Sequence, residues 1–503
     1  MKPIRRVLIA NRGEIAVRVI RTLRELDLTS IAIFSEPDRA ALHVLLADEA
    51  YPVGPGPSRD SYLNLDRVIE TAVRVKADAI HPGYGFFAEN AEFARACAAA
   101  GIAFIGPAPE TIEALGDKLA ARAAARAAGV AMVPGSDGPV SSVREAAAVA
   151  EKLGWPVLLK AAAGGGGKGM RVVRAASELE AAWSLTRGEA ASAFGDDRVY
   201  LERYLERPRH VEAQILADST GRVAFLGERE CSVQRRHQKL LEETPSPAFT
   251  PAIRARFAEA AIRIAKQVGY LNAGTVEFIL DERGEFFFLE VNTRLQVEHP
   301  VTELVTGLDL VAEQIAIAEG GPLSFGDSPP APRGAAIEAR ILAEDPSRNF
   351  LPSVGRIERV RFPQGPGVRN DAGVYRGFEI PIYYDSLLAK LVVWGEDRER
   401  ARRRLLRSLD EFVLEGVKQN IGFHRWLAAH PEFAAGRLST SFLDEHFQPG
   451  LLAPSHEAAE VAVLAAALHA RDERLRVNLP AEDGGARSAW KWPMRRKSDR
   501  RRR

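Results

Sequence analysis

Polar residues alternate with other residues in the stretch from Glu277 to Pro300, directly after the apolar run FFFL. They are Glu290, Asn292, Arg294, Gln296 and Glu298. Alternation with a period of two is how a β-strand turns residues to one face. Hard oxygen ligands this close together, with Glu277 on an earlier apolar run, are what an octahedral Mg²⁺ needs when it also holds substrate phosphates. The stretch therefore predicts a phosphate-handling metal site.

The distance along this stretch adds a constraint on its shape. At about 3.3 Å per residue, Glu290 and Asn292 lie some 6–7 Å apart on one face, but Glu298 would lie about 26 Å beyond Glu290 on a continuous strand. We therefore expect the chain to bend before His299 if Glu298 serves the same site. A polar edge strand without a metal is the alternative interpretation.

A second motif, GGGGKG at residues 164–169, formally matches a dinucleotide fingerprint and half of a phosphate-binding loop. The apolar segment MRVVR follows it, where a dinucleotide fingerprint requires a helix. Met170 stands where the phosphate-binding loop requires its Lys-Ser/Thr pair. The context instead predicts a glycine hairpin between strands that can lay N–H groups on a phosphate and close as a lid, with a plain surface hairpin as the alternative.

Basic residues near these motifs are candidates for binding anions. Lys160 ends the strand before the glycine hairpin, so its ammonium can reach the same phosphates. Lys118 taken alone resembles a solvated helix lysine. In the segment ERECSVQRRHQKLLEE, residues 228–243, Gln234, His237 and Lys239 have a spacing suited to a substrate oxyacid, although so dense a charge mixture is also typical of a solvated strand or loop.

The elements that must position these residues suggest at least three units. The first ~110 residues alternate apolar runs with helical patterns, which predicts a doubly wound α/β domain. An Ala- and Arg-rich helix from Thr111 to Gly129 and several strands then predict an α+β domain that ends with a helix from Asp309 to Glu319. Residues 320–334 form the clearest linker candidate. Beyond the linker a mostly β unit extends to about Phe447.

Composition limits the classes of function. The 503 residues are 46% apolar and carry a net charge of +1, and a chain of this length usually holds about three domains. Residues 491–503 carry eight basic residues and one acid, so residues 1–490 have a net charge of −6. The body therefore gives no reason to expect nucleic acid or a membrane surface. Two distant cysteines and the lack of a signal-peptide core or an apolar run of membrane length predict a cytoplasmic protein.

Several long motifs, in order, resemble those of the biotin carboxylases, the ATP-grasp subunits of biotin-dependent carboxylases. The motifs are IANRGEIAVR, HPGYGFFAEN, KAAAGGGGKGMRVV, RHVEAQ, ERECSVQRRHQK, the stretch from Glu277 to Glu303, IEARILAEDP and YYDSLLAKL. The resemblance covers about residues 1–447. It implies a Rossmann-like N-terminal domain over residues 1–114, a central ATP-grasp domain with a glycine-rich lid over 115–331, a mostly β biotin carboxylase C-terminal domain over 332–447, and an Ala-rich, then basic tail over 448–503.

The resemblance also implies roles for individual residues. The residues that would hold ATP are Lys118, Lys160, Gly166, Gly167, Glu202, Leu205, His210, Gln234 and His237. Those that would bind Mg²⁺ or Mn²⁺ are Glu277, Glu290 and Asn292. Bicarbonate would be bound by Lys239, Arg294 and the backbone of Val297, and deprotonated by Glu298 for attack on the γ-phosphate. Carboxyphosphate would then release CO₂ and a phosphate that deprotonates biotin, and Arg340 would stabilise the ureido oxyanion.

The resemblance implies partners as well. No Met-Lys-Met biotinylation site occurs, so biotin is expected on a separate carrier protein, with carboxyltransferase subunits and a homodimeric enzyme. The lid, RECSVQRRHQK and the HPEF segment at residues 430–433 look closer to acyl-CoA carboxylase α subunits than to bacterial acetyl-CoA carboxylase subunits. A two-subunit pyruvate carboxylase is the same-class alternative. A non-catalytic scaffold and nucleic-acid binding by the Arg-rich tail are two functions of different classes that the sequence leaves open. Ala335 stands where the family often has histidine, which affects packing near Arg340.

Overall fold

The computed structural model describes residues 3–162, 169–326, 328–453 and 456–475. The chain divides into two compact units, Met1–Leu452 and Ala453–Arg503. The predicted lid glycines, Gly166 and Gly167, and the basic segment 491–503 lie outside the described residues.

The N-terminal part contains a five-stranded parallel sheet in the order β3-β2-β1-β4-β5. Its elements are β1 (Arg6–Ile9), α1 (Gly13–Glu25), β2 (Thr29–Ser35), α2 (Leu42–Leu46), β3 (Glu49–Gly54), α3 (Leu65–Arg74), β4 (Ala79–His81), α4 (Ala91–Ala99) and β5 (Ala103–Phe104). Strand alternation sends Val7 and Ile9 into one apolar core and Leu8 and Ala10 into another, on the opposite face. Both faces are therefore covered, which confirms the predicted doubly wound α/β architecture.

The segment after this sheet differs from prediction in one detail. Two helices, α5 (Pro109–Gly116) and α6 (Lys118–Ala127), replace the single helix predicted from Thr111 to Gly129. Asp117 separates them in an extended conformation, and its side chain accepts a hydrogen bond from the Ala120 N–H. An aspartate cap of this kind starts a new helix. Lys118 therefore begins α6 rather than lying inside a longer helix.

A small antiparallel sheet follows, in the order β7-β6-β8. The strands are β6 (Val157–Ala161), β7 (Met170–Val173) and β8 (Val199–Arg203). Two helices, α7 (Val143–Leu153) and α8 (Leu179–Phe194), share an apolar core with these strands. Lys160 lies opposite Met170 in the ladder. The two strands that flank the glycine-rich segment are thus antiparallel neighbours, as a hairpin requires.

The next elements carry most of the predicted site residues. They are β9 (Arg209–Ala217), β10 (Val223–Arg235), β11 (Gln238–Thr244), α9 (Pro251–Gln267), β12 (Asn272–Leu280), β13 (Phe286–Asn292), α10 (His299–Thr306) and α11 (Leu310–Ala318). Helices α6 and α9 pack on β9, β12 and β13 around Phe257, Phe278 and Phe288. The described residues of the predicted linker, 320–326 and 328–334, form neither helix nor strand.

The remaining elements of the first unit are mixed. They are β14 (Ala335–Leu342), β15 (Glu344–Asp345), β16 (Leu351–Pro352), β17 (Gly355–Arg356), β18 (Arg359–Arg361), β19 (Val368–Ala372), β20 (Glu379–Ile380), β21 (Leu387–Gly395), α12 (Arg398–Glu411), β22 (Val413–Glu415), α13 (Ile421–Ala429), α14 (Pro431–Ala434) and α15 (Phe442–His446). Helix α12 buries Leu405 and Leu409 in a core shared with β14 and β21. Ala335 is buried at the first position of β14.

One large sheet joins strands β9 through β13 with three strands of the last group, in the order β13-β12-β9-β10-β11-β14-β21-β19. Strands β11 and β14 pair antiparallel, with Leu241 opposite Ala339 and Thr244 opposite Ala336. The pairing satisfies backbone groups that would otherwise lie on an open edge. The sheet is therefore continuous across the predicted domain boundary between residues 331 and 332, and the domain limits stay predictions.

The second unit contains one described helix, α16 (His456–Leu475). The Ala-rich pattern predicted a helix over residues 456–470, and the helix continues five residues further. Among the described residues, no helix combines the length and the apolar character that crossing a membrane would require.

Candidate active site

The three predicted metal ligands lie on one face of the large sheet. Strands β12 and β13 pair so that Glu277 lies opposite Glu290 and Thr275 lies opposite Asn292. Directly paired residues of antiparallel strands project to the same side, so this register gathers both carboxylates and the amide. The Asn292 Nδ2 donates to the Glu277 Oε1 over 2.8 Å.

The charges on this face suit a divalent cation. Burial and the neighbouring charge of Glu277 raise the pKa of Glu290, and Lys118 opposes them. Burial would also raise the pKa of Glu277, but Lys239 and His210 outweigh it and hold that pKa well below its usual value. The buried carboxylate of Glu277 and the half-buried carboxylate of Glu290 repel one another beside an amide oxygen, and these are the hard donors that Mg²⁺ prefers. The residues present therefore fit the ion.

The predicted bend is present. Strand β13 ends at Asn292, and the chain turns through residues 293–298 before α10 begins at His299. The His299 Nδ1 lies 2.7 Å from the Gln296 carbonyl oxygen, which closes the turn. As a result Glu298 returns to the sheet instead of continuing away from it. The predicted bend before His299 is confirmed, and Glu298 contacts Lys239.

Lys239 links the two halves of the motif. Its Nζ lies 2.9 Å from the Glu277 Oε1, 2.7 Å from the Glu298 Oε1 and 2.6 Å from the Glu212 Oε2. The Gln296 Oε1 also lies 3.3 Å from the Nζ. Burial would lower the pKa of Lys239, but the three carboxylates outweigh it and raise the pKa well above its usual value. The ammonium is therefore a permanent positive charge between the metal face and Glu298.

Glu212 is a residue that sequence reasoning missed. It lies on β9 opposite both Glu277 and Arg229, and its carboxylate also forms a buried ion pair with Arg229. The Arg229 side chain is fully buried. The signal was present in RHVEAQ, where His210, Glu212 and Gln214 alternate with apolar residues, but only the register of three strands shows that Glu212 faces Lys239.

Glu298 lies between two cations. Its side chain is fully buried, and its Oε2 lies 2.9 Å from the Arg340 Nη2. Burial would raise the pKa of Glu298, but Lys239, Arg340 and Arg229 together outweigh it and lower the pKa. The carboxylate is therefore ionised at neutral pH, which is the form that accepts a proton.

Arg340 is held by a second carboxylate. Its Nε donates to the Glu242 Oε1 over 2.6 Å, on the neighbouring strand β11. Burial, opposed by the charge of Arg340 and reinforced by that of Glu298, raises the pKa of Glu242 to about 7. The guanidinium is thus aimed by two acids, and it lines a cavity.

Arg294 is positioned by the connection between β4 and α4. Its Nε lies 2.9 Å from the Glu89 Oε2, and the Glu89 Oε1 accepts a hydrogen bond from the Thr293 N–H over 3.0 Å. Its Nη2 also donates to the Asn292 Oδ1 over 3.1 Å. Glu89 belongs to the motif HPGYGFFAEN, but 205 residues separate it from Arg294, so no local pattern indicates the contact.

Residues predicted to hold the nucleotide form a second cluster. The Lys160 Nζ donates to the Glu202 Oε2 over 3.0 Å, and Arg122 forms an ion pair with the same carboxylate. The His210 Nε2 lies 2.7 Å from the Glu277 Oε2, so this predicted nucleotide residue contacts the metal face.

The other described nucleotide residues differ in burial. Gln234 Nε2 lies 3.4 Å from His210 Nδ1. Lys118 is partly buried, and its pKa is lowered mainly by this burial and to a smaller extent by the charge of Lys160. His237 is exposed between β10 and β11, and Leu205 is half-buried. Their roles remain predictions.

A cavity of about 450 Å³ adjoins Arg294, Val297 and Arg340. Its opposite wall comes from the N-terminal loops, including Asn11 and Tyr84. The Asn11 Nδ2 donates to the carbonyl oxygens of Pro82 and Tyr84 over 2.7 Å each, which ties the loop after β1 to the loop after β4. The cavity therefore lies at the carboxyl ends of parallel strands, where α/β sheets commonly bind ligands.

A buried lysine supports the wall of this cavity. Lys390 is fully buried on β21, and its Nζ donates to the Val297 carbonyl oxygen over 2.8 Å. It also lies 3.2 Å from the Glu14 Oε1, and the Tyr84 hydroxyl donates to the same oxygen. Burial raises the pKa of Glu14 to about 7 against the opposing charge of Lys390. Sequence reasoning missed Lys390, although a lysine inside the apolar run LLAKLVVWG was a signal.

Three family models match the chain in succession. They are described as "Biotin carboxylase, N-terminal domain" over residues 3–112, "Carbamoyl-phosphate synthase L chain, ATP binding domain" over residues 117–325, and "Biotin carboxylase C-terminal domain" over residues 338–445. The metal face and the bend fall within the second match, and Arg340 falls within the third.

Curated relatives match over most of the chain. The biotin carboxylase of Nostoc sp. is 52% identical over 440 residues, which cover 88% of this chain and 98% of that protein. A pyruvate carboxylase subunit from Methanothermobacter thermautotrophicus is also 52% identical, over 88% of this chain and 90% of its own length. The propionyl-CoA carboxylase alpha chain of Ruegeria pomeroyi is 45% identical over 97% of this chain and 75% of its own.

Solved structures share the fold. A complex of the biotin carboxylase of Campylobacter jejuni has a TM-score of 0.85 and 45% identity, and covers 88% of this chain and 99% of its own. A second structure is the biotin carboxylase domain dimer of the Hydrogenobacter thermophilus 2-oxoglutarate carboxylase, in complex with MgADP, ADP and bicarbonate. It has a TM-score of 0.86 and 46% identity, and the match covers 91% of this chain and 100% of that chain.

Proposed function

The chain belongs to the biotin carboxylase family. We propose that the residues gathered around Lys239 carry out the ATP-dependent carboxylation of biotin. The observation that carries this proposal is the position of Lys239, which contacts both Glu277 of the metal face and Glu298 beyond the bend. A metal site for ATP and a base for bicarbonate thus share one buried ammonium.

The first step is the activation of bicarbonate. Lys239, Arg294 and the Val297 backbone bind the anion, and the ionised Glu298 removes its proton. The bicarbonate oxygen then attacks the γ-phosphorus, the bond to ADP breaks, and carboxyphosphate forms. Lys118, Lys160 and the predicted lid glycines hold the phosphates, and Glu202, Leu205, His210, Gln234 and His237 complete the nucleotide site. Glu277, Glu290 and Asn292 would hold Mg²⁺, which would neutralise charge on the transferring phosphoryl group.

The second step takes place in the adjoining cavity. Carboxyphosphate releases CO₂ and a phosphate that is basic enough to deprotonate the ureido nitrogen of biotin. Negative charge then develops on the ureido oxygen, and Arg340 stabilises it as a preorganised donor. Glu242 and Glu298 hold Arg340 in place. The ureido nitrogen attacks CO₂ to give carboxybiotin.

The test of this function is ADP release with free biotin as the acceptor. Bicarbonate and biotin together should stimulate ATP hydrolysis, and removal of Mg²⁺ with a chelator should abolish the stimulation. Well-folded protein whose ATP hydrolysis responds to neither bicarbonate nor biotin would exclude the function. A non-catalytic scaffold predicts that result, but it also predicts damaged site residues, and every residue assigned above is present.

The metal assignment makes a separate prediction. Glu290→Gln removes one carboxylate charge from the metal face without changing its shape. The Mg²⁺ concentration for half-maximal ADP formation should rise by at least about tenfold, since loss of even a supporting group at a metal site has an effect of this size. Glu282→Gln, at an exposed position between β12 and β13, is the matched control. An unchanged Mg²⁺ requirement would remove Glu290 from the metal site.

The partners are those of a multi-subunit carboxylase. We propose a biotin carboxyl carrier protein and carboxyltransferase subunits as partners. The matches to two curated biotin carboxylases cover 98% and 99% of those proteins, which leaves them almost no length for a carrier domain of their own. A homodimer is supported by the dimer described for the Hydrogenobacter domain. The cytoplasmic location stays a prediction, and both cysteines, Cys97 and Cys231, are unpaired and buried.

An acyl-CoA is the proposed final acceptor. The match to the propionyl-CoA carboxylase alpha chain extends over 97% of this chain, whereas the match to the Methanothermobacter pyruvate carboxylase subunit covers 88%. The longer match includes residues beyond the three family models. Reconstitution with an acyl-CoA carboxyltransferase and with an oxaloacetate-forming carboxyltransferase would decide between an acyl-CoA and pyruvate as the acceptor. Each acceptor predicts activity with only one of the two carboxyltransferases.

A further inference from the structure

The mouth of the 450 Å³ cavity has an exposed apolar turn beside it. Ile382 and Tyr383 form this turn between β20 and β21. The Tyr383 ring lines the cavity and is 47% exposed, and the Ile382 side chain is 73% exposed. Among the described residues, Ile382 is the most exposed of the large apolar side chains. An apolar side chain in this position gains free energy when another surface covers it.

The turn is held firmly in place. The Tyr384 hydroxyl donates to the Gly56 carbonyl oxygen over 2.6 Å, and the Arg12 guanidinium lies 4.1 Å from the centre of the Tyr384 ring. The Tyr383 ring lies against Gly56, where no side chain could be accommodated without displacing the ring. Ile382 is thus exposed on a turn whose conformation is fixed by the contacts of Tyr383 and Tyr384. A partner would therefore bind a preformed surface.

We propose that the Ile382–Tyr383 turn is the docking surface for the protein domain that carries biotin. This inference rests on the proposed function, because it requires that biotin reaches the cavity while attached to a lysine of a carrier. When the biotin ring lies beside Arg340, the domain at the other end of the tether must lie against the cavity mouth. Tyr383 belongs to both the cavity wall and the outer surface, so it connects the two.

A surface centred on two exposed side chains suits a carrier that must leave after each cycle. Transient complexes bury less area than stable ones, and a few central residues provide most of their binding energy. Tyrosine is enriched among such residues, and an exposed aliphatic neighbour extends the apolar centre. The partner that fits is therefore a small domain that presents apolar side chains around its biotinyl-lysine.

The experiment compares two acceptors in Ile382→Asp. The probes are free biotin and a purified carrier domain that is biotinylated on the lysine of its Met-Lys-Met motif. We expect kcat/KM for the carrier to fall by about tenfold or more, mainly through KM, as for loss of a central interface residue. Kinetics with free biotin should stay within about twofold of the wild type, the scale of a surface substitution away from binding contacts.

Val73→Asp is the matched control. Val73 is 54% exposed near the end of α3, six residues before β4 begins. It therefore lies near the amino ends of the parallel strands, whereas the cavity lies at their carboxyl ends. It should change neither reaction. Unchanged carrier kinetics in Ile382→Asp, or equal losses with both acceptors, would overturn the docking surface. Wild-type protein that carboxylates neither acceptor would instead overturn the proposed function.

Discussion

Glu298→Gln is expected to abolish turnover and to leave ATP binding intact. The amide keeps the shape of the carboxylate, and its single oxygen can still accept a hydrogen bond from Lys239 or from Arg340, but it cannot take a proton from bicarbonate. The rate of bicarbonate-dependent ADP formation should fall by about 10²- to 10⁴-fold, the usual contribution of a positioned general base. Glu212 and Glu277 still compensate Lys239, and Glu242 still compensates Arg340, so the fold should persist.

Two measurements separate the role of a base from a role in nucleotide binding or in folding. The dissociation constant for ATP, measured by calorimetry with Mg²⁺, should match that of the wild type, because the predicted nucleotide residues do not include Glu298. The thermal denaturation midpoint should change little. Weaker ATP binding, or substantial remaining turnover, would contradict the assignment of Glu298 as the base.

The sequence predicted the central part of this site because its signals are local. A period of two after FFFL placed Glu290 and Asn292 on one face, and the length of an extended chain required the bend before Glu298. Both arguments use residues close together in the chain and simple strand geometry. The structure confirms both, with β13 ending at Asn292 and Glu298 returning to Lys239.

The residues that surround this part were missed because they are distant in sequence. Glu212 on β9 meets Lys239 on β11 across the intervening strand β10. Glu89 reaches Arg294 over 205 residues, and Lys390 supports the Val297 carbonyl over 93 residues. A charged residue inside an apolar strand signals a buried partner, since an isolated buried charge is unstable. The sequence alone does not identify that partner.

The predicted division of the chain shows a similar limit. Residues 320–334 have a linker composition, and their described part forms no helix or strand. A linker composition does not exclude pairing between the strands on either side of it, and β11 pairs with β14 across this segment. The helix break at Asp117 was accessible in principle, because an aspartate followed by a helical pattern is a start signal.

Lys239→Met is expected to reduce both activity and stability. The methionine has a similar length but carries no charge, so bicarbonate loses a cation and Glu212, Glu277 and Glu298 lose the ammonium that they share. Loss of a positioned charge at a reacting anion lowers kcat by about 10²- to 10³-fold. Removal of one partner from a buried ion pair costs about 3–5 kcal/mol. Arg229, His210 and Arg340 remain beside the three carboxylates, so we expect the lower end of that range.

The loss of stability distinguishes Lys239 from a lysine that only binds substrate. The denaturation midpoint, measured by circular dichroism without nucleotide and metal, should fall clearly below that of the wild type. Lys266→Met, at an exposed position in α9, is the matched control and should leave the midpoint unchanged. If both variants denature at the wild-type midpoint while Lys239→Met is inactive, the three carboxylates do not depend on the ammonium. The base would then be kept ionised by Arg340 and Arg229 alone, and Lys239 would act only on bicarbonate.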